Sequence, residues 1–309
     1  MNNFSFIFPG QGSQSVGMMA DFNDHPLIQS TFNEASQILN VDFWKMATNP
    51  NENIHQTIHT QPILLTAGIA TWRLWQSKSD QLPSYLAGHS LGEYTALVAS
   101  NAMEFNDALK LVKFRAEVMQ KAVPEGVGAM AAILGMSDSD VIDACKEAQE
   151  NEVVEAVNFN SPGQVVIAGN MLAVERAIEI AKSKGAKRAI LLPVSVPSHC
   201  SLMQKASEEL KEYLTYITIK KPNIPVIHNV DVKEHHDANQ IKEALSKQLC
   251  YPVRWVETIE KMALHKISSI AECGPGKVLT GLTKRISAEL RGTALINEGA
   301  MDEFKVLIQ

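Results

Sequence analysis

Short apolar runs alternate with longer stretches whose apolar residues recur at helical spacing, and this alternation carries through the chain. The run from 4 to 8 reads as a buried strand ended by Pro9-Gly10. Leu65, Ile69 and Trp72 are spaced for one helical face and predict a helix over 62–76. A short strand at 85–87 precedes a helix reaching about 100. Leu109, Val112, Ala116 and Met119 then mark one face of a helix over 104–122.

The rhythm changes between about 127 and 194. A strand at 129–134 leads to a helix at 137–149, opened by a Ser-Asp cap signal. Strands at 153–158 and 164–168 are joined by a turn at Asn160-Ser161-Pro162-Gly163. A helix at 172–184, ended by Gly185, leads to a strand at 188–192. The order β-α-β-β-α-β is that of a ferredoxin-like unit. Elements of the outer type resume afterwards: helices at 201–217, 238–249 and 253–264, strands at 226–230 and 267–271, and a helix after Gly274-Pro275-Gly276 to about 289. This alternation favours a mainly parallel, covered sheet. The expected organisation is a discontinuous large α/β domain, 1–126 with 195–309, carrying a small ferredoxin-like subdomain at 127–194.

Composition narrows the function classes. The 309 residues are 45 % hydrophobic and 20 % charged, enough apolar content for a large core. Lys and Arg number 28 against 34 Asp and Glu, a net charge of −6 that argues against nucleic acid as the main partner. Cys145, Cys200, Cys250 and Cys273 are scattered without a C-x-x-C pair, so neither a zinc site nor a disulfide framework is indicated. No long apolar run suggests a membrane span, and no basic, apolar leader opens the sequence. The expectation is a cytoplasmic protein with reduced thiols.

The sharpest local signal is Gly88-His89-Ser90-Leu91-Gly92, a G-x-S-x-G between a predicted strand and a predicted helix. A strand that turns abruptly into a helix strains the serine backbone and exposes its hydroxyl. The residues two before and two after approach so closely that both must be small. The helix N-terminus also aims N–H groups at developing negative charge. Such a serine needs a base. Of nine histidines, His199 lies in a strand-to-helix loop, Val194-Ser195-Val196-Pro197-Ser198-His199, whereas His235 and His236 sit in a polar stretch expected to be a solvated loop. No carboxylate near His199 stands out as a triad acid. The Pro9-Gly10-Gln11-Gly12-Ser13-Gln14 loop fits neither G-x-G-x-x-G nor a P-loop. It can instead lend an N–H to an oxyanion hole.

Five segments occur in order: 8–14 (FPGQGSQ), 88–94 (GHSLGEY), 128–132 (GAMAA), 158–164 (NFNSPGQ) and 194–199 (VSVPSH). Together they resemble the malonyl-CoA:acyl carrier protein transacylases of bacterial type II fatty-acid synthesis, from Phe4 to about Gly281. The resemblance implies an α/β-hydrolase-like large domain with the ferredoxin-like insert. It implies Ser90 as nucleophile, His199 as base and later acid, and the N–H groups of Gln11 and Leu91 as oxyanion donors. Gln248 is similar to the residue whose carbonyl orients the histidine, which would replace the missing acid. Arg115 matches the arginine that grips the free carboxylate of malonate, with Asn158 beside it in the pocket. From its sequence neighbours alone, Arg115 reads first as a member of an exposed i,i+4 pair on a helix, and only the resemblance reverses that reading.

By the same resemblance no metal or other cofactor is required, and the partners are malonyl-CoA and an acyl carrier protein. Such carriers are acidic, and Lys182, Lys184, Lys187 and Arg188 offer a basic docking patch or simply a solvated helix end. A serine esterase or thioesterase, and a trans-acting acyltransferase of a polyketide pathway, are the alternatives.

Overall fold

The computed structural model describes all residues except 1, 2, 23, 24, 52, 125 and 195. In chain order, β1 (Phe4–Phe8) is followed by α1 (Pro26–Leu39), α2 (Phe43–Thr48), α3 (Thr57–Lys78), β2 (Tyr85–Gly88), α4 (Gly92–Ala99) and α5 (Phe105–Ala122). Then come β3 (Gly128–Leu134), α6 (Asp138–Gln149), β4 (Val154–Ser161), β5 (Gln164–Asn170), α7 (Met171–Ser183) and β6 (Arg188–Leu191). The chain closes with α8 (Gln204–Leu214), β7 (Val226–Ile227), α9 (Ala238–Lys247), α10 (Trp255–Leu264), β8 (Ser269–Glu272), α11 (Val278–Ile286), β9 (Arg291–Ala294) and α12 (Glu298–Ile308).

The strands form two sheets. The first has the order β7-β2-β1-β8-β9 and every pairing in it is parallel. It is covered on both faces, which explains why β1 is buried at every position. Phe4, Phe6 and Phe8 point into one core with Trp72, Trp75 and Phe304, while Ile7 joins Trp255, Ile259 and Leu279 on the other side. The second sheet is antiparallel, in the order β4-β5-β3-β6, the strand order of a ferredoxin-like unit. Helices α6 and α7 pack on one of its faces around Val141, Cys145, Val174 and Ile178.

Several boundaries differ from those the pattern suggests. Helix α3 starts at Thr57, five residues before Pro62, so the proline lies inside it. It forfeits a single intrahelical bond there. This helix is buried nearly all round, because it runs through the centre of the larger core. The expected helix at 201–217 is a 3-10 turn at Ser201–Met203 followed by α8. Strand β7 ends at Ile227 rather than 230, since His228 and Asn229 turn inward to hydrogen-bond Glu93. Helices α1, α2 and α12 and strand β9 had no counterpart in the sequence reading.

The sheets are tied where the cleft forms. Val253 N donates to Val157 O at 2.9 Å and Phe159 N donates to Val253 O at 3.0 Å. Ser201, just beyond His199, donates from N and Oγ to Glu155 on β4. The carboxyl ends of β1 and β2 therefore open into a trench whose far wall is the second sheet.

Candidate active site

The turn after β2 owes its shape to three close approaches. A Cβ on Gly88 would lie 1.8 Å from the Gly92 carbonyl carbon, and one on Gly92 would lie 2.0 Å from Phe8 O. One on Gly10 would lie 2.3 Å from His89 O, so the Pro9–Gln14 loop abuts the elbow. No side chain fits at these distances. Ser90 between them has φ 50°, the left-handed region that non-glycine residues rarely adopt.

His199 also has positive φ, 69°. It is buried, with Nε2 2.8 Å from Ser90 Oγ and Nδ1 2.6 Å from the Gln248 carbonyl oxygen. A carbonyl only accepts, so the Nδ1 proton is fixed there and Nε2 faces the serine as an acceptor. Burial pushes the His199 pKa down to about 3, and the nearby Arg115 charge adds to this. The imidazole is neutral at ordinary pH and ready to take the Ser90 proton.

Arg115, on α5, is 1 % exposed. Nη1 donates to Gln61 Oε1 at 2.8 Å, and Nη2 donates to Gln248 Oε1 at 3.0 Å and Ser90 Oγ at 3.2 Å. The guanidinium also lies over the Tyr94 ring, 5.4 Å from its centroid. All three acceptors are neutral, and no acidic residue pairs with Arg115 among the described residues. The surface pair on this helix belongs to Lys113 and Glu117 instead. A buried cation with only neutral partners makes a receptor for an anion.

A cavity of about 390 Å³ holds these groups, with Ser90, Arg115 and His199 on one side and Met130, Asn158 and Leu192 on the other. It continues into a second space of about 210 Å³ that shares Gln11, Gly12, His89, Asn158 and Leu192. Gln11 and Leu91 border Ser90, and their backbone N–H groups donate to nothing among the described residues. Gln11 Oε1 is held by Thr57 Oγ1 at 3.1 Å. Asn158 Oδ1 is likewise without a partner among them. Ser195, in the loop leading to His199, lies outside the described residues.

Sequence reasoning missed the groups beneath the elbow. Glu93 is fully buried and accepts from His228 Nδ1, Asn229 N and Gln248 Nε2. Asn229 Oδ1 accepts from Ser90 N at 2.8 Å, while its Nδ2 donates to Gly88 O at 2.7 Å. The available signal was an acid, Glu93, directly ahead of the apolar stretch of α4. His89 turns away from the serine, and its Nε2 donates to Asn160 Oδ1 at 2.7 Å across the trench. No group of three or more potential metal-binding side chains occurs among the described residues. In the basic segment, Lys182 pairs with Glu179 and Lys184 with Glu147, which leaves Lys187 and Arg188 without acidic partners among the described residues.

A neutral imidazole aimed at a strained serine, beside a buried cation, is equipped for transferring an acyl group that carries its own negative charge. The chain belongs to the acyl transferase domain family, whose model matches residues 5–287. It is 52 % identical over 303 residues to the malonyl CoA-acyl carrier protein transacylase of Escherichia coli strain K12, covering 97 % of this chain and 98 % of the relative. An acyl carrier protein S-malonyltransferase from Vibrio cholerae superposes with a TM-score of 0.95 at 51 % identity, covering 98 % of this chain and 99 % of the other. A malonyl-transacylase solved in complex with a type II PKS acyl-carrier protein superposes equally well, TM-score 0.95, at 48 % identity over 97 % of this chain and 98 % of that one. No helix among the described residues is long and apolar enough to cross a membrane.

Proposed function

We propose that this enzyme moves the malonyl group of malonyl-CoA onto the phosphopantetheine thiol of an acyl carrier protein, through a malonyl ester on Ser90. The observation that supports this above others is Arg115: a buried guanidinium without an acidic partner among the described residues, 3.2 Å from the serine hydroxyl. A malonyl carboxylate fits it, and an acetyl group would leave it uncompensated.

Ser90 Oγ attacks the thioester carbonyl while His199 Nε2 takes its proton, and the imidazolium rests on the Gln248 carbonyl. The carbonyl oxygen becomes an oxyanion held by the N–H groups of Gln11 and Leu91. Collapse breaks the C–S bond, and the coenzyme A thiolate leaves with the proton from His199. The carrier thiol then gives its proton to His199 and attacks the ester. Ser90 is released and reprotonated as malonyl carrier departs.

Arg115 has a second effect. Its charge is one cause of the low His199 pKa, so a carboxylate that neutralises it strengthens the base just when the right acyl group is seated. No metal or other cofactor takes part in this scheme. Asn158 lines the acyl space, and Lys187 and Arg188 are the part of the basic segment still able to meet an acidic carrier. The setting is cytoplasmic fatty-acid biosynthesis. Wild-type enzyme incubated with radiolabelled malonyl-CoA should retain one label, discharged by carrier protein. Rapid release of free malonate without carrier would instead make it a thioesterase.

A further inference from the structure

We propose that Glu93, which touches no substrate in this scheme, is a specificity-positioning residue: its carboxylate holds the side-chain amide of Gln248 so that the oxygen, rather than the nitrogen, faces Arg115. The inference rests on the malonyl-transfer reading and extends it.

An amide has two ends of nearly equal size and opposite hydrogen-bonding character, so its partners choose its orientation. Gln248 is fully buried and has a different partner type at each end. Its Nε2 donates to Glu93 Oε2 at 2.8 Å and to Ser90 O at 3.0 Å, both of which only accept. Its Oε1 accepts from Arg115 Nη2 at 3.0 Å, which only donates. Turned over, the amide would set oxygen against two acceptors and an NH2 group against a cation. Each mismatch is costly where no water can relieve it.

The same carboxylate supports the rest of the site. Glu93 Oε1 accepts from His228 Nδ1 at 2.7 Å, and Oε2 also accepts from Asn229 N at 3.0 Å. Asn229 in turn holds the elbow backbone at Ser90 N and Gly88 O. Gln248 is thus a junction. Its main-chain carbonyl orients the base, its amide oxygen orients the carboxylate clamp, and its amide nitrogen is anchored to Glu93 and the elbow.

Glu93→Met keeps the length of the side chain and removes both acceptor oxygens, so Gln248 Nε2 loses its Glu93 anchor. The Gln248 amide is then no longer held with its oxygen toward Arg115, and the guanidinium loses its aim. The experiment compares kcat/KM for malonyl-CoA and acetyl-CoA, with one carrier protein, in wild type and Glu93→Met. The malonyl-to-acetyl ratio should fall at least tenfold. A purely structural role for Glu93 lowers both rates together and leaves the ratio unchanged, which overturns the proposal. Should Glu93→Met fail to fold, Gln248→Met removes the amide and keeps the main-chain carbonyl. It should lower the same ratio by a similar factor, and an unchanged ratio again overturns the proposal. If wild type itself shows no preference for malonyl, the substrate reading has failed rather than this positioning role.

Discussion

The two sheets face each other across one trench and bring different things to it. The parallel sheet and the helices packed on it hold the reactive groups in segments that have almost no freedom, joined there by His199 from the connection that leaves β6. Gly10, Gly88 and Gly92 touch backbone, Ser90 and His199 sit at positive φ, and Glu93 and Gln248 are buried beneath them. The antiparallel sheet presents Met130, Asn158, Asn160 and Leu192, none of which carries charge. Its edge strand β6 is largely exposed, whereas β1 and β8 are buried throughout. A covered parallel sheet can hold strained turns and an unpaired cation because its neighbours determine every position. The antiparallel sheet is also buried on both faces at β3 and β5, but the side chains it turns to the trench are uncharged and can vary without disturbing that arrangement. The division suggests that chemistry is set by one wall, and access and fit by the other.

The strongest way to break this division is to remove a group from the reactive wall. Ser90→Ala should abolish the malonyl-enzyme and lower kcat by roughly 10⁴- to 10⁶-fold. Covalent label retained on the variant would show that another residue carries the acyl group. Next in size is Arg115→Ala. Losing a buried charge pair with malonate costs about 2–5 kcal/mol, equivalent to about 30- to several-thousand-fold in the malonyl-to-acetyl ratio of kcat/KM. A ratio that stays within a factor of two would place malonyl selection on the opposite wall.

How far the chain announces these features differs between the walls. The β-α-β-β-α-β order of the insert is legible because each of its elements makes its own apolar face, as Ile133, Val165 and Val174 illustrate by falling on period-2 or helical spacing. The elbow is legible because its glycines answer a local steric demand. Buried Arg115 and Glu93 are not, since a charged residue on a helix looks the same in sequence whether it faces water or a cavity. The part Gln248 plays through its carbonyl leaves no mark in residue type at all, and only resemblance suggested it. Helices α1 and α12 carry the same kind of signal, since Ile28, Phe32 and Ala35, and Met301, Phe304 and Ile308, recur at helical spacing, so nothing physical hides them in the sequence.

A subtler test uses the base on the reactive wall. The unfolded imidazole of His199 binds a proton near its ordinary value of 6.5, while the folded one holds out to about 3. Between these values the unfolded chain binds more protons, so this contribution to stability is complete above 6.5 and is lost as pH falls toward 3. From pH 6.5 to 5 the loss amounts to about 2 kcal/mol, at about 1.4 kcal/mol per pH unit. Urea unfolding at pH 7 and pH 5 should therefore show wild type losing roughly that much more than His199→Gln. Equal losses in the two proteins would mean that His199 is more hydrated than its burial indicates.

The smallest effect probes the other wall. Asn160 is mostly buried, lines the narrower part of the trench and accepts the His89 hydrogen bond that crosses between the sheets. Burial lowers the His89 pKa, so the contact joins two neutral groups and is worth about 1 kcal/mol. If the antiparallel wall governs fit alone, Asn160→Ala should raise the KM for malonyl-CoA about fivefold and leave kcat at saturation nearly unchanged. Steady-state kinetics over a range of malonyl-CoA separates the two parameters. A fall in kcat as large as the rise in KM would mean that His89 passes the position of Asn160 directly to its neighbour Ser90. The strained turn would then depend on both sheets, and the division of labour between the walls would not hold.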